Sequence, residues 1–384
     1  MDFSKRAKSI SASQTLKITS VIKRLKREGK SVINFAAGEP DFDTPDEIKF
    51  YAKEAIDSGF TKYTPVAGIP ELREEIAKKF KIQNNLKYSL DEIVVSNGAK
   101  HSLTNILMAL IDEGDEVIIM APYWLSYSEM VRLSSGTPVV VSFSRESGFR
   151  PDFEVLKAAI TERTKCIILN SPTNPTGMVW RKDELQQLGE LALKNNVLII
   201  SDEIYEHLVY DGEHISIGSI SNDIFKNTIT VNGVSKSHAM TGWRVGWIGA
   251  DSSLISEITK IQSQMTSNAS SISQRAALGA LKMDEKWFSF IREEFRKRRD
   301  LMMKLLDEYG ISFVKPEGAF YLFMDISKFK SGSFSFAEEL LDQKLVGLIP
   351  GDPFGADDYV RLSYATSTDE IREGVNRIGE FFNG

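Results

Sequence analysis

The sequence predicts a doubly wound α/β protein, in which a mainly parallel sheet is covered by helices on both faces. Short apolar segments rich in β-branched residues alternate with longer amphipathic segments through most of the chain. Hydrophobicity within the short segments is continuous rather than alternating, which is typical of strands buried on both faces of a parallel sheet. This alternation of strands with helices favours an α/β layer structure.

The elements of this sheet follow one another along the chain. Six apolar runs predict strands at residues 92–96, 116–120, 138–143, 165–170, 197–202 and 228–231. Amphipathic patterns predict helices between them at residues 101–111, 153–159 and 182–195. A long charged helix pattern starts at residue 285 and continues to residue 309, and shorter strands are predicted at 319–324, 346–350 and 359–363. The last third is therefore predicted to form a smaller α+β unit.

Composition excludes several classes of protein. The 384 residues allow two or three domains, and their net charge of −6 argues against a nucleic-acid partner, since phosphate binding needs a basic surface. Hydrophobic residues make up 42% and charged residues 26%, as in globular chains. The single cysteine excludes an internal disulfide, and four histidines argue against a clustered metal site. Because no membrane span or signal peptide is recognisable, the chain is predicted to be cytoplasmic.

Polar residues follow the predicted strands at the edge where ligands bind in open α/β sheets. Asn174 follows the fourth of the six strands, Asp202 ends the fifth, and Lys236 follows the sixth. Gly98 separates the first strand from the next helix. Taken singly, Lys236 is typical of a solvated loop, Asp202 of a helix cap and Asn174 of a turn. Their shared position at one edge of the sheet predicts a binding site.

Seven motifs occur in a fixed order over almost the whole chain. They are AGEPD from Ala37, YTPVAG from Tyr63, APYW from Ala121, NPTG from Asn174, SDEIY from Ser201, SKSHAMTGWR from Ser235 and RLSYA from Arg361. In this order they resemble the class I/II aminotransferase family, which uses pyridoxal 5′-phosphate (PLP). The segment from Ser235 to Arg244 is similar to the signature around the cofactor lysine. The likeness is closest to the bacterial and plant branch of aspartate aminotransferases.

The resemblance implies an architecture. It implies fold type I of the PLP-dependent transferases, with a large cofactor domain at residues 45–285 and a small domain formed by residues 1–44 together with 286–384. Tyr63 matches a tyrosine that reaches the cofactor phosphate from the neighbouring subunit. If so, the protein is a homodimer with shared active sites. From the local sequence alone, Tyr63 is also typical of a loop aromatic packed at an interface.

The resemblance also implies roles for residues around the cofactor ring. Lys236 would bond to the cofactor aldehyde and then act as general acid–base, which requires an amine that loses its proton near neutral pH. Asp202 would keep the pyridine nitrogen protonated. Asn174 and Tyr205 would donate hydrogen bonds to the ring oxygen. Trp124 would stack on the ring, although an aromatic residue here is also typical of a core.

The phosphate of the cofactor needs hydrogen-bond donors and positive charge. The backbone N–H groups of Ala99 and Lys100, after Gly98, begin a helix whose positive dipole end suits an anion. Ser235 would add a hydroxyl, and Arg244 a guanidinium that can bind two oxygens. The resemblance therefore implies a phosphate site at this helix start.

Substrate recognition is implied at two places. Arg361 matches the arginine that binds the substrate α-carboxylate, and Gly38 would offer its backbone to the same group. Without its motif, Arg361 is equally typical of a charge on a surface strand. A dicarboxylate also needs partners for its distal carboxylate. In the closest branch, a lysine and hydroxyls near the N-terminus take this role, and Lys100, Ser13 and Thr15 match them. Lys100 is also typical of a solvated helix start.

These residues predict a ping-pong aminotransferase that moves an amino group between L-aspartate and 2-oxoglutarate. Some relatives accept prephenate by means of a lysine near the N-terminus, but the stretch Ile10-Ser11-Ala12-Ser13 lacks one, which argues against prephenate. Transamination of aromatic or other amino acids remains an alternative. A PLP-dependent β-lyase would retain the same Lys236, Asp202, Asn174 and Arg361. A non-catalytic sensor of this fold would carry a DNA-binding domain before the first motif, and none is recognisable.

Overall fold

The computed structural model describes residues 2–11 and 14–384, and for residues 14–17 it describes the backbone alone. The helices are α1 Lys5–Ser9, α2 Gln14–Arg27, α3 Asp46–Asp57, α4 Pro70–Gln83, α5 Ala99–Leu110, α6 Ser126–Leu133, α7 Phe153–Ala158, α8 Lys182–Lys194, α9 Asn222–Lys226, α10 Ser252–Met265, α11 Ser271–Ala280, α12 Glu285–Glu308, α13 Gly332–Lys344 and α14 Thr368–Asn383. The strands are β1 Ile33–Asn34, β2 Ile93–Ser96, β3 Glu116–Ala121, β4 Thr137–Ser142, β5 Thr164–Asn170, β6 Leu198–Asp202, β7 Thr228–Gly233, β8 Gly246–Gly249, β9 Phe313–Val314, β10 Tyr321–Asp325, β11 Val346–Gly347, β12 Ile349–Pro350 and β13 Tyr359–Ser363. Among the described residues, no helix is long and apolar enough to cross a membrane.

The central sheet has the strand order β2-β8-β7-β6-β5-β3-β4. Neighbouring strands are parallel except at β8, which runs antiparallel to both β2 and β7. The predicted α/β class with a mainly parallel sheet is therefore confirmed. In the middle of the sheet, Asn170 at the end of β5 lies opposite Asp202 of β6, and Asp202 lies opposite Val231 of β7. The carboxyl ends of three strands thus meet at one edge.

The central strands are buried on both faces, as their continuous hydrophobicity predicts. Ile167 and Leu169 of β5 pack with Ile199 of β6 in one hydrophobic layer. Ile168 and Ile200, which are their immediate neighbours in sequence, pack in the opposite layer. Because successive side chains of a strand point to opposite faces, a strand covered on both sides needs apolar residues at every position. This packing holds the strand ends rigid where the polar residues begin.

A second sheet, in the order β12-β13-β10-β9, is antiparallel and lies in the last third of the chain. The N-terminal segment joins this part: β1 pairs in parallel with β11, and the Ser363 amide donates to the Phe35 carbonyl at 2.8 Å. The single strand predicted at residues 346–350 is wrong. It is two short strands, because Val346–Gly347 bonds to β1 whereas Ile349–Pro350 bonds to β13.

Strand β8 is the element of the central sheet that the hydrophobic pattern missed. It contains two glycines in four residues, and glycine is depleted in strands. The glycine is required where β8 approaches the start of α5, because a Cβ on Gly246 would lie 2.4 Å from the Ala99 nitrogen. The same close approach places β8 directly beneath the helix start that was predicted to bind phosphate.

Candidate active site

A cavity of about 360 Å³ opens at the carboxyl ends of β5, β6 and β7. Its volume lies within the range of small-molecule sites. The residues that it brings together include most of those predicted from the sequence, namely Gly38, Ala99, Lys100, Trp124, Asn174, Asp202, Tyr205, Ser235, Lys236, Arg244 and Arg361. Gly98 immediately precedes this group at the start of α5. The convergence comes from several segments that are far apart in sequence.

Lys236 projects into the cavity from the loop that follows β7. Its Nζ donates to the Gly38 carbonyl at 2.5 Å. Burial lowers the pKa of Lys236 to about 8; the negative charge of Glu39 opposes this, and the nearby guanidinium of Arg361 lowers it further. A far larger fraction of this amine than of an ordinary lysine is therefore neutral near physiological pH. A neutral buried amine can act as a nucleophile or as a base.

Asp202 is the last residue of β6 and is buried. The Tyr127 hydroxyl donates to its Oδ2 at 2.7 Å, and the Ile204 amide donates to its Oδ1 at 3.3 Å. Burial raises the pKa of Asp202 to about 6, while these two hydrogen bonds favour the carboxylate and limit the rise. The carboxylate is thus held in one orientation in a dry environment, where it can form a strong bond to a cationic N–H group.

Arg361 lies in β13 and is buried against the other side of the cavity. Its Nη1 donates to Asn174 Oδ1 at 3.0 Å and its Nη2 donates to the Ala36 carbonyl at 3.2 Å. The guanidinium lies over the Tyr321 ring, 4.2 Å from its centre. Among the described residues, the buried Nε has no hydrogen-bond partner. Nη1 and Nη2 each carry a second N–H, so Arg361 can still donate to an anionic ligand.

Tyr205 and Tyr321 form a pair beside this arginine. Their hydroxyl oxygens lie 3.0 Å apart, and both rings are buried. Burial raises the pKa of Tyr205 well above its ordinary value, so its hydroxyl remains protonated and can donate a hydrogen bond. Asn174, which also lines the cavity, has the same capacity, because its side-chain oxygen accepts from Arg361 and its side-chain nitrogen remains a donor.

The opposite end of the cavity is positively charged. Helix α5 begins at Ala99, and the N–H groups of a first helical turn have no partner within the helix. Gly98, at φ +88°, precedes it, and a Cβ there would lie 2.7 Å from Arg244 Nη2. Lys100 Nζ lies 4.8 Å from the centre of the Trp124 ring, and burial followed by the charge of Arg244 lowers the Lys100 pKa. Helix start, guanidinium and amine together form a site for an anion.

Three of the predicted residues lie outside this cavity or its description. Tyr63 lies in the loop between α3 and α4 with 90% of its surface exposed. Ser13 lies outside the described residues. Thr15 belongs to α2, but nothing of its side chain is described. The roles predicted for these residues in the cofactor and substrate sites remain predictions.

Tyr127, Tyr321 and Asn170 were not among the predicted site residues. Tyr127 follows Trp124 by three residues, and the two rings meet edge to face at 5.3 Å. Asn170 Nδ2 donates to the Asp202 backbone carbonyl at 2.9 Å, and its Oδ1 accepts from the backbone N–H of Asn174 at 2.9 Å. A tyrosine one turn after an aromatic site residue is a usable signal for Tyr127. Tyr321 begins the apolar strand β10, and no sequence signal distinguishes it from its neighbours there.

A polar cluster lies behind Asp202, on the side away from the cavity. Glu203, Glu206 and His214 place potential ligand atoms within 4.8 Å of one another. Lys79 forms a buried ion pair with Glu206, and Asn84 Nδ2 donates to Glu206 Oε2 at 2.6 Å. These contacts already balance much of the carboxylate charge. The cluster therefore stabilises the segment after β6 by bonding its two glutamates to other elements.

The sequence and the fold are both similar to those of known proteins. Residues 30–378 match the family described as aminotransferase class I and II. An aspartate aminotransferase of Bacillus sp. strain YM-2 is 45% identical over 383 residues, covering 98% of each chain. A probable aspartate/prephenate aminotransferase of Rickettsia prowazekii is 46% identical over 388 residues, covering 98% of this chain and 97% of that one. The structure of aspartate aminotransferase from Thermus thermophilus with maleate is similar at a TM-score of 0.96 and 42% identity, covering 99% of both chains.

Proposed function

The chain belongs to the class I and II aminotransferase family, as its ordered motifs indicate, and from this premise we propose that it transfers the amino group of L-aspartate to 2-oxoglutarate with PLP as cofactor. The membership and the type I fold of its structural neighbours confirm the resemblance drawn from the sequence. One observation carries the proposal. A partly buried amine of lowered pKa, a buried carboxylate and a cationic helix start line one cavity, and PLP needs all three.

The residues of the cavity fit PLP. When bound, PLP withdraws electrons into its pyridine ring and so makes the Cα proton of an amino acid acidic. Lys236 would hold the cofactor at its aldehyde carbon and later move the proton at Cα. Asp202, held by Tyr127, would bind the protonated ring nitrogen, and that cation would in turn favour the charged form of Asp202.

The remaining contacts with the cofactor follow from the same geometry. Tyr205 and the amide nitrogen of Asn174 would donate to the ring oxygen, and Trp124 would cover the ring face. The backbone at Ala99 and Lys100, the Ser235 hydroxyl and the Arg244 guanidinium would bind the phosphate. This division places the anion at the helix start. Gly98 is needed there because a side chain would displace Arg244.

The substrate would lie between this ring and Arg361. Arg361, which lines the cavity, would bind the α-carboxylate through its guanidinium, and the backbone of Gly38 would contact the same group. Lys100, together with Ser13 and Thr15, is proposed to bind the distal carboxylate. The similar Thermus thermophilus structure contains maleate, a dicarboxylate of the same length as aspartate. Prephenate is not expected to be a substrate, because the stretch at residues 10–13 lacks a lysine.

We further propose that the protein is a homodimer with shared active sites. Tyr63 supports this, since a tyrosine with 90% of its surface exposed contributes nothing to the cavity of its own chain. It could reach a phosphate site only in a neighbouring subunit. The measurement is the molar mass in solution by sedimentation equilibrium, where twice the 43.1 kDa of one chain is expected. A mass of a single chain at micromolar concentration would contradict the proposal.

The division into a large domain at residues 45–285 and a small domain at residues 1–44 with 286–384 is part of the same proposal. The pairing of β1 with β11 supports it, because it attaches the N-terminal segment to the last third of the chain. A cytoplasmic location also stays a prediction.

The experiment that tests the function is a panel of half-reactions. The purified protein loaded with PLP is mixed separately with aspartate, glutamate, phenylalanine and alanine, while the visible absorption of the cofactor is followed. We expect the fastest change with aspartate and glutamate, because only these present a second carboxylate to Lys100. An unchanged spectrum with every amino acid would refute the proposal. Pyruvate released from a cysteine conjugate without a 2-oxo acid acceptor would instead indicate a β-lyase.

A further inference from the structure

Two consecutive residues of the N-terminal segment contact the loop that carries Lys236. The Gly38 carbonyl accepts from Lys236 Nζ at 2.5 Å. The next residue, Glu39, accepts a hydrogen bond from the Thr241 hydroxyl at its Oε2, at 2.7 Å. Glu39 itself is exposed, and it lies between β1 and α3 in a segment that crosses from one sheet to the other. An exposed carboxylate is therefore held by a hydrogen bond next to the residue that contacts the site lysine.

We propose that Glu39 is a positioning residue for Lys236: its bond to Thr241 holds the Gly38 carbonyl against Nζ and holds a negative charge beside the amine. This inference rests on the proposed function, since it concerns the lysine that would bind PLP. Glu39 touches neither cofactor nor substrate in the proposal. It acts through Gly38 on one side and through the loop of Thr241 on the other.

The surroundings of Lys236 show why a carboxylate is needed there. The charged groups that act on the amine are Glu39, Arg361, Arg244 and Asp202. Burial and the two arginines disfavour the ammonium form, whereas Glu39 and Asp202 favour it, Glu39 more strongly. In the proposed complex Asp202 would be paired with the ring nitrogen. Glu39 would then be the carboxylate left to keep the pKa of Lys236 from falling further.

The contact between Glu39 and Thr241 is one of several hydrogen bonds between the N-terminal segment and the loop after β7. Thr241 accepts, at its backbone oxygen, a hydrogen bond from Arg244 Nη1 at 2.9 Å. Further along the N-terminal segment, the Thr44 hydroxyl donates to the Ala239 carbonyl at 2.7 Å and accepts from Trp243 Nε1 at 3.0 Å. The segment is thus fixed at two points on the loop between Lys236 and Arg244. Glu39 is the contact adjacent to Gly38, whose carbonyl accepts from the lysine.

The test separates the charge of Glu39 from its hydrogen bond. Glu39→Gln keeps an oxygen that can accept from Thr241 but removes the charge. Thr241→Val keeps the charge but removes the donor, and Thr241→Ser restores the donor. Glu47→Gln, an exposed glutamate at the start of α3, is the matched control. Each full-length variant is stripped of cofactor, and the rate of PLP loading is followed by absorbance across pH 6 to 10.

Loading reports the amine directly, because only neutral Lys236 adds to the aldehyde, forming the C–N bond with loss of one water. We expect the pH at half-maximal rate to fall by roughly 0.5 unit in Glu39→Gln, since a lost negative charge makes the ammonium easier to deprotonate. Thr241→Val should shift it in the same direction by less, while Thr241→Ser and Glu47→Gln match the parent. At 1 M salt the shift should shrink, because charges at an exposed carboxylate are screened.

The outcomes distinguish this inference from the function on which it rests. If the parent protein fails to load PLP at any pH, the proposed function is wrong. If the parent loads normally but Glu39→Gln keeps its midpoint, the positioning role of Glu39 is overturned and the function stands. A shift in Glu39→Gln without any in Thr241→Val also overturns it, since the charge would then act without being held by Thr241.

Discussion

Replacing Lys236 with alanine is expected to lower transamination of aspartate by at least roughly 10⁴-fold, the upper range for loss of a positioned acid–base group. The side chain supplies both the amine that would hold the cofactor and the base that would move the Cα proton. Among the described residues, no second amine is placed to substitute: Lys100, which also lines the cavity, lies against Trp124 at the anion-binding end. The measurement is steady-state turnover with aspartate and 2-oxoglutarate.

The control for this variant is Lys286→Ala, which removes a lysine that is 91% exposed on α12. It should keep the turnover of the parent protein. The Lys236→Ala protein should also retain the parent's circular dichroism spectrum, because a shorter side chain leaves its loop bonded through the Thr241 hydroxyl and the Ala239 carbonyl. Substantial turnover by a folded Lys236→Ala protein would show that the lysine is not the reacting group.

Replacing Asp202 is expected to have the next largest effect. Asp202→Asn keeps the shape of the side chain and the Tyr127 contact but removes the charge that would hold a protonated pyridine nitrogen. Without that cation the ring withdraws electrons poorly, so the Cα proton is less acidic. We expect exchange of the Cα proton of aspartate with solvent deuterium to slow by roughly 10²- to 10³-fold, as for loss of one preorganised electrostatic contact. Asp202→Ala should be at least as severe.

Glu203→Gln is the matched control for Asp202→Asn. Glu203 is the adjacent carboxylate and equally buried, but it faces the cluster of Ser216 and His214 instead of the cavity. The Glu203→Gln variant should lose stability, because the Ser216 hydroxyl and the His214 imidazole would then bond to a neutral amide, which is a weaker partner than the carboxylate. Exchange of the Cα proton in the folded fraction should remain close to that of the parent. Parent-like exchange in Asp202→Asn would refute the role proposed for Asp202.

Much of the central sheet could be predicted because burial on both faces leaves a strong pattern. The runs that became β5 and β6 contain consecutive apolar residues and end at the polar Asn170 and Asp202. Strand β8 could not be predicted, because Gly246 and Gly249 are selected by close approach to other elements and not by strand propensity. The division of residues 346–350 between two sheets was equally invisible, since pairing partners lie far away in sequence.

The candidate site also has a part that could be predicted from the sequence and a part that could not. Its chemistry was visible in the sequence: an amine, a carboxylate, an amide and a glycine at strand ends, in motifs that resemble one family. The supporting contacts were not. Tyr127 holds Asp202 across 75 residues, and Glu39 meets Thr241 across 202 residues. Nothing in the local pattern of a tyrosine or a surface glutamate indicates such a partner.

The sequence by itself determined the fold class, the family and the residue types that would do the chemistry, because hydrophobic periodicity and ordered motifs are local properties of the chain. Only the tertiary structure decided how those residues are tuned. The lowered pKa of Lys236, the orientation of Asp202 and the unpartnered Nε of Arg361 all depend on burial and on neighbours from distant segments. Such effects act through space over a few ångströms, so they exist only once the chain has folded.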